Sequence, residues 1–88
     1  MAQAHVFIKG RVQGVFFRRF TKRQAEALGL SGWVKNLPNG QVEVKLAGDK
    51  KQIKKAIAKL RQGPRLAKVE NIEIFWQEPE EFSGFEIR

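Results

Sequence analysis

Residues 31–46 read SGWVKNLPNGQVEVKL and carry the clearest structural pattern in the chain. Residues 41–46 alternate polar and apolar side chains, which is typical of a half-buried strand. Residues 31–36 form a second run that favours a strand. Asn39 and Gly40 lie between the two runs, and an Asn-Gly pair adopts the positive φ angles that a tight turn requires. The sequence therefore predicts an antiparallel hairpin.

A strand and a helix are predicted before this hairpin. Residues 5–12, HVFIKGRV, are rich in β-forming residues and alternate beyond Val6. Residues 13–16 then form a loop, and a helix follows to about Leu28, where Gly29 is placed to act as its C-terminal cap. Apolar side chains at spacings of seven and eight share one face of this helix: Phe20, Ala27 and Leu28.

A second helix and two further strands are predicted after the hairpin. Asp49 is a candidate N-cap for this helix, and Gly63-Pro64 ends it. Between them, apolar residues recur with helical spacing at Ile53, Ala56, Ile57 and Leu60. Residues 72–76 and 82–88 favour strands. The resulting order is βαββαβ plus a short C-terminal strand. It predicts an α+β, ferredoxin-like split βαβ sandwich with two helices on one face of a mainly antiparallel sheet.

Composition limits the classes of function. The chain has 88 residues, which suits one domain spanning 1–88. It has no cysteine, which excludes disulfides, thiolate catalysis and cysteine zinc sites, and the single histidine, His5, cannot build a metal site alone. No leader and no apolar run of about 20 residues occurs, so we expect a cytoplasmic protein. The net charge of +8 favours anionic partners.

The loop before the first helix is a candidate anion site. Residues 10–18 read GRVQGVFFR and join a strand to a helix. Main-chain amides at a helix start have no partner within the helix and attract anions. Gly14 lets the backbone approach a ligand, and Arg18 adds a planar fork of donors that matches a phosphate. The spacing fits neither a Walker loop nor a dinucleotide fingerprint.

Local patterns alone leave other interpretations open. Gly10 and Gly14 can serve only to shape a turn. Residues 21–24, TKRQ, fit a capping box, in which case the helix starts near Lys22 and its own amides are satisfied. Asn36, immediately before Leu-Pro-Asn-Gly, can simply end a strand.

A family resemblance covers almost the whole chain. Residues 10–18 resemble the first signature of the acylphosphatase family, and residues 32–42, closed by Gly48, resemble the second. Gly63-Pro64, Ala67 and Val69 resemble its helix-to-strand segment, and residues 85–88 resemble its C-terminal strand. The resemblance implies the ferredoxin-like fold, hydrolysis of acyl phosphates to a carboxylate and inorganic phosphate, and no metal or cofactor. It also favours the earlier start of the first helix over the Thr21 cap.

The resemblance assigns roles to particular residues. Arg18 corresponds to the phosphate-binding arginine, and Asn36 corresponds to the asparagine that positions the attacking water. The loop amides that cradle the phosphate correspond to those of Gln13, Gly14, Val15 and Phe16. Two positions depart from the common pattern: Phe16 replaces a frequent glycine, and Asn39 a frequent aspartate. The implied partners are a small-molecule acyl phosphate and its phosphate product, with no metal, nucleic acid or membrane, and we expect a monomer.

Two other classes of function compete with hydrolysis. The βαββαβ order and the positive charge also occur in RNA-recognition domains, but residues 41–46, which would form the base-stacking strand, contain no aromatic residue. An interaction domain that keeps the fold without turnover is the second alternative. The presence of both Arg18 and Asn36 argues against it.

Overall fold

Seven elements follow the predicted order in the computed structural model, which describes residues 1–88. They are β1 (Ala2–Arg11), α1 (Phe17–Ala27), β2 (Ser31–Asn36), β3 (Val42–Gly48), α2 (Lys50–Gln62), β4 (Lys68–Gln77) and β5 (Phe85–Ile87). The predicted α+β, ferredoxin-like fold is confirmed.

The strands form one sheet in the order β4-β1-β3-β2-β5. All neighbours are antiparallel except β2 and β5, which are parallel. The predicted hairpin is present, because β2 and β3 pair from Ser31 opposite Ala47 to Asn36 opposite Val42. The amide of Gly40 donates a 3.1 Å hydrogen bond to the carbonyl of Leu37 in the connecting turn. Gly40 has a positive φ of 89°, but Asn39 does not, so the positive φ angle predicted for Asn39 is wrong.

Both helices cover one face of this sheet, and the core lies between them and the sheet. The side chains of Ala4, Val6 and Ile8 on β1 point into it, as do alternate residues of β3. The helix α2 has the predicted amphipathic form, with Ile53, Ala56, Ile57 and Leu60 buried. Its N-cap is Asp49, whose side chain accepts a 2.8 Å hydrogen bond from the amide of Lys51.

The helix α1 starts early, and its buried face matches the predicted one in part, since Phe20 and Leu28 are partly buried against the core. Its buried residues are Phe17, Thr21 and Ala25, four apart, whereas Ala27 is exposed. Thr21 is therefore not an N-cap, and its hydroxyl instead donates a 2.9 Å hydrogen bond to the carbonyl of Phe17 one turn earlier. The capping-box interpretation is wrong.

The end of α1 is as predicted. Gly29 has a left-handed φ of 69°, and its amide bonds to the carbonyl of Glu26. The amide of Leu30 bonds to the carbonyl of Ala25 at 2.8 Å. This pair of bonds is the Schellman motif, which satisfies the last carbonyls of the helix.

The strand β1 changes direction where it leaves the sheet for the α1 loop. Its register with β4 shifts between Lys9 and Gly10, which marks a bulge. Gly10 has φ 135°, and a Cβ atom there would lie 2.1 Å from the carbonyl oxygen of Lys68. Only glycine allows this approach, so Gly10 positions the start of the loop.

The second face of the sheet carries ion pairs and aromatic rings. His5 lies on the interior strand β1, and its Nε2 is 2.6 Å from a carboxylate oxygen of Glu43. The connection between β4 and β5 is held to this face by Glu80, which accepts hydrogen bonds from Lys45 and Gln3. These donors hold the pKa of Glu80 below its ordinary value because they stabilise the ionised form. No helix is long and apolar enough to cross a bilayer.

Candidate active site

The loop between β1 and α1 has an unusual backbone conformation. Gly14 has φ 73° and Phe16 has φ 63°, and Phe16 is the one residue other than glycine with a positive φ. Left-handed residues beside right-handed ones turn successive amides toward the same side, which forms a concave anion-binding surface. A Cβ atom at position 14 would have no neighbouring atom within 4 Å, so a side chain would fit there. Glycine is therefore favoured at this position by its φ angle and not by a lack of space.

The amides of this loop have no partners. None of the main-chain N–H groups of residues 13–16 donates a hydrogen bond within the protein, and Phe16, the N-cap of α1, provides no side-chain cap. The first main-chain bond of the helix runs from the amide of Phe20 to the carbonyl of Phe16 at 3.0 Å. The loop and the start of α1 therefore present free donors and the positive end of the helix dipole.

Arg18 lies in the first turn of α1, beside these free amides. Its side chain is exposed, and one guanidinium nitrogen is 3.5 Å from the main-chain oxygen of Arg88. This is a long contact and involves one of five donors. The rest of the planar fork is available to a ligand.

Asn36 ends β2 and faces the same loop. Its Oδ1 atom is buried and has no hydrogen-bond partner in the protein. A buried polar atom without a partner costs about 1–3 kcal/mol, so such atoms are uncommon unless a ligand or a reaction uses them. This is not the arrangement expected of an asparagine that merely ends a strand, where the side chain usually bonds to nearby main chain.

One cavity contains both of these side chains. It has a volume of about 400 Å³ and its lining includes Gly14, Phe16, Arg18 and Asn36. The other lining residues are Val12, Phe17, Arg19 and Ile87. The fold thus brings together, within one cavity, residues from the loop, from α1 and from the end of β2.

Two of the predicted site residues do not line the cavity with their side chains. The side chain of Val15 is buried in the core, and that of Gln13 points toward the β2–β3 turn. Both were predicted for their main-chain amides, so their side chains are free for other contacts.

The side chain of Gln13 connects the loop to the hairpin. Its Nε2 atom donates hydrogen bonds of 2.8 Å to the carbonyls of both Leu37 and Gln41. These carbonyls flank the turn that follows Asn36. The connection holds the free amides and Asn36 in a fixed relation to each other.

The sequence interpretation missed three contributors to the site: Gln13 through its side chain, Arg19 and Ile87. The partners of Gln13 lie 24 and 28 residues away, so no local pattern indicates them. Ile87 reaches the cavity because β5 pairs in parallel with β2, opposite Val34. For Arg19 the sequence offered one indication that it lines the cavity, which is its position next to Arg18.

The cavity offers donors of hydrogen bonds and positive charge, which is the chemistry of an anion site. No group of three or more His, Cys, Asp or Glu side chains is arranged to hold a metal ion. A phosphoryl group bound by the amides and Arg18 would have Asn36 beside it to hold a water molecule.

Comparisons with known proteins agree with the fold. Residues 4–87 match the sequence model of the acylphosphatase family. An acylphosphatase from Thermococcus kodakarensis is 47% identical over 85 residues, which cover 97% of this chain and 93% of that protein. An acylphosphatase from Thermus thermophilus is 45% identical over 87 residues, covering 99% of both.

A solved structure gives the same result. The crystal structure of acylphosphatase from Bacillus subtilis superposes with a TM-score of 0.98 at 32% identity, over 100% of this chain and 99% of that one. The family match over nearly the full length and the shared fold lead to one conclusion: this chain belongs to the acylphosphatase family of hydrolases.

Proposed function

We propose that the chain hydrolyses acyl phosphates with its phosphate cradle at residues 13–16, with Arg18 as the phosphate-binding side chain and with Asn36 orienting the attacking water. The observation that carries this assignment is the single cavity lined by Gly14, Arg18 and Asn36. Family membership supports the overall reaction, and the free amides of the loop support the assignment of roles.

The reaction places modest demands on the protein. Water attacks phosphorus, the bond between phosphorus and the acyl oxygen breaks, and the products are a carboxylate and inorganic phosphate. A carboxylate is a good leaving group, so no strong acid is needed to protonate it. Phosphoryl transfer depends mainly on positioning and on stabilising the charge of the equatorial oxygens.

The proposed residues meet these demands separately. The amides of residues 13–16 and the fork of Arg18 donate to the phosphoryl oxygens, where charge is greatest. Asn36 is neutral and offers both donors and an acceptor, so its amide can hold water without repelling a dianion. A carboxylate at that position would repel the substrate.

The direct test is turnover of benzoyl phosphate by the purified protein in the presence of a metal chelator. We expect full activity with the chelator. Activity that appears only on addition of a divalent metal, or no turnover at all, would contradict the proposal.

The Arg18→Lys variant in the same assay tests the arginine. Lysine keeps the charge but lacks the planar fork, so we expect kcat/KM to fall by at least about ten-fold. The matched control is Arg61→Lys on the exposed surface of α2, which leaves activity unchanged. Equal activity of the two variants would mean that Arg18 acts only as a general positive charge.

A further inference from the structure

A second cavity adjoins the one that contains Arg18 and Asn36. It has a volume of about 340 Å³ and is lined by Phe16, Arg19, Phe20, Arg23 and Pro64. Phe16 and Arg19 line both cavities. A molecule bound by the loop amides can therefore extend past these two side chains into the second cavity.

Aromatic rings form the apolar part of the second cavity. Phe16 is 68% exposed, although its side chain is large and apolar. Its backbone is left-handed, a conformation that is unfavourable for residues other than glycine. The ring of Phe20 is half-buried and packs against Phe17, with ring centroids 6.1 Å apart. The fold thus holds one ring in place and leaves another open at the mouth of the active-site cavity.

Two arginines form the charged part. Arg19 and Arg23 are four residues apart on α1, so they are neighbours on the helix surface and repel each other. Neither guanidinium makes a hydrogen bond or an ion pair within the protein. The one acidic residue of α1, Glu26, lies 3.9 Å from Lys22 instead. An anion in this cavity would relieve that repulsion and occupy free donors.

The direction of the reaction indicates what enters this cavity. In phosphoryl transfer the attacking and leaving oxygens lie roughly in line, on opposite sides of phosphorus. Asn36, the proposed holder of the water, lines the first cavity but not the second. The leaving acyl group therefore projects away from Asn36, and the second cavity opens on the side of Phe16 and Arg19.

We propose that this second cavity, lined by Phe16, Arg19, Phe20, Arg23 and Pro64, is the binding site of the acyl group. It selects acyl phosphates in which a flat or apolar segment follows the carbonyl and a second anionic group lies beyond it. The rings contact the apolar segment, and Arg19 and Arg23 bind the second anion. This inference rests on the proposed function.

A pair of substrates that differ by one carboxylate tests the arginines: benzoyl phosphate and 4-carboxybenzoyl phosphate. We expect the wild-type protein to prefer the carboxylated substrate in kcat/KM by about two- to five-fold, the range for one exposed arginine–carboxylate contact. Arg23→Gln should abolish this preference, with the effect mainly in KM. Arg61→Gln removes the same charge from α2 and should preserve the preference.

Phe16→Gly tests the aromatic part without disturbing the backbone, because glycine adopts the left-handed conformation freely. We expect the preference for benzoyl phosphate over acetyl phosphate to decrease by about three-fold or more, in line with the loss of a ring contact. An equal change for both substrates would overturn the assignment of the ring.

The outcomes separate the two proposals. Hydrolysis of benzoyl phosphate with no preference for the carboxylated substrate overturns the acyl-group site and leaves the proposed function intact. The same holds if Arg23→Gln and Arg61→Gln reduce the preference equally, since the preference would then arise from the overall positive charge of the protein and not from a contact in the second cavity. If no acyl phosphate is hydrolysed, the proposed function fails, and the acyl-group site fails with it.

Discussion

Asn36 is the residue at which catalysis and folding are most easily separated. Its side chain has no hydrogen bond within the protein, and its Oδ1 atom is buried. Removing the amide therefore breaks no hydrogen bond of the fold, so Asn36→Ala should change the free energy of unfolding by no more than about 1 kcal/mol. The removal of an unpartnered buried oxygen contributes a stabilising part to this change.

The rate should respond very differently to Asn36→Ala. Arg18 and the loop amides remain, so phosphate affinity should stay within a few-fold of wild type. The loss of the group that orients water should lower kcat by about 10²–10³-fold, as for the loss of one preorganised polar group. Melting temperature, phosphate affinity and kcat are measured on one preparation, with Asn71→Ala on the exposed surface of β4 as the control. A variant that melts early but turns over normally would end the catalytic assignment.

At the level of elements, the site depends on the contact between the α1 loop and the β2–β3 hairpin. Gln13 makes this contact with two hydrogen bonds of 2.8 Å. The acceptor carbonyls keep other partners if Gln13 is removed, since they also accept from the amides of Gly40 and Leu37. The side chain is thus a positioning group rather than the sole partner of buried polar atoms.

Gln13→Ala should affect both stability and rate. The loss of two hydrogen bonds should lower the free energy of unfolding by about 1–2 kcal/mol. The amide cradle and Asn36 then move relative to each other, so kcat should fall by about ten- to hundred-fold while phosphate affinity changes less. The control is Gln62→Ala, an exposed residue of α2 without a side-chain hydrogen bond. If unfolding free energy falls but kcat stays at the wild-type value, Gln13 has a structural role alone.

The elements that sequence predicted well are those with local causes. The presence of a turn at Gly40, the Asp49 cap and the apolar face of α2 each follow from neighbouring residues. The strand β4 begins at Lys68, four residues before its predicted start, because it is an edge strand whose extent depends on pairing with β1. The same reason applies to β1, whose first residues pair with β3.

The site was predictable only in part, for a related reason. Arg18 and the free amides follow from a helix start, which is local, whereas the position of Asn36 in the same cavity requires the whole sheet. The apolar face of α1 was predicted in part: Phe20 and Leu28 pack against the core, but Thr21 is also buried there, and a threonine carries no strong apolar signal. Its hydroxyl is satisfied within the helix, which allows that burial.

Across the whole molecule, the positive charge is concentrated in the helical layer. The helix α2 carries basic residues and no acidic one, and α1 carries four basic residues against one acidic. On the second face of the sheet, three carboxylates pair with cations: Glu43 with Lys35, Glu80 with Lys45 and Glu86 with Arg88. The cavity lies at the start of α1, at the edge of the charged layer, where the field attracts a dianionic substrate.

The size of the molecule sets how salt should act on this field. Its principal dimensions are 31 × 22 × 21 Å. The screening length is about 30 Å at 0.01 M salt and about 10 Å at 0.1 M, so every lysine acts on the cavity at low salt and only the neighbours act at high salt. We expect kcat/KM for benzoyl phosphate to fall by about three- to ten-fold between 0.01 M and 0.3 M sodium chloride.

Paired charge variants distinguish this long-range field from simple competition by chloride for the phosphate cradle. Lys54→Gln with Lys55→Gln removes two exposed positive charges from α2, and Glu73→Gln with Glu78→Gln removes two exposed negative charges elsewhere. At low salt the lysine variant should have a lower kcat/KM than wild type and the glutamate variant a higher one, and the three values should converge as salt rises. Competition by chloride acts at the cradle and would reduce all three in parallel. Parallel curves, or a difference that persists at 0.3 M salt, would therefore contradict attraction of the substrate by the helical layer.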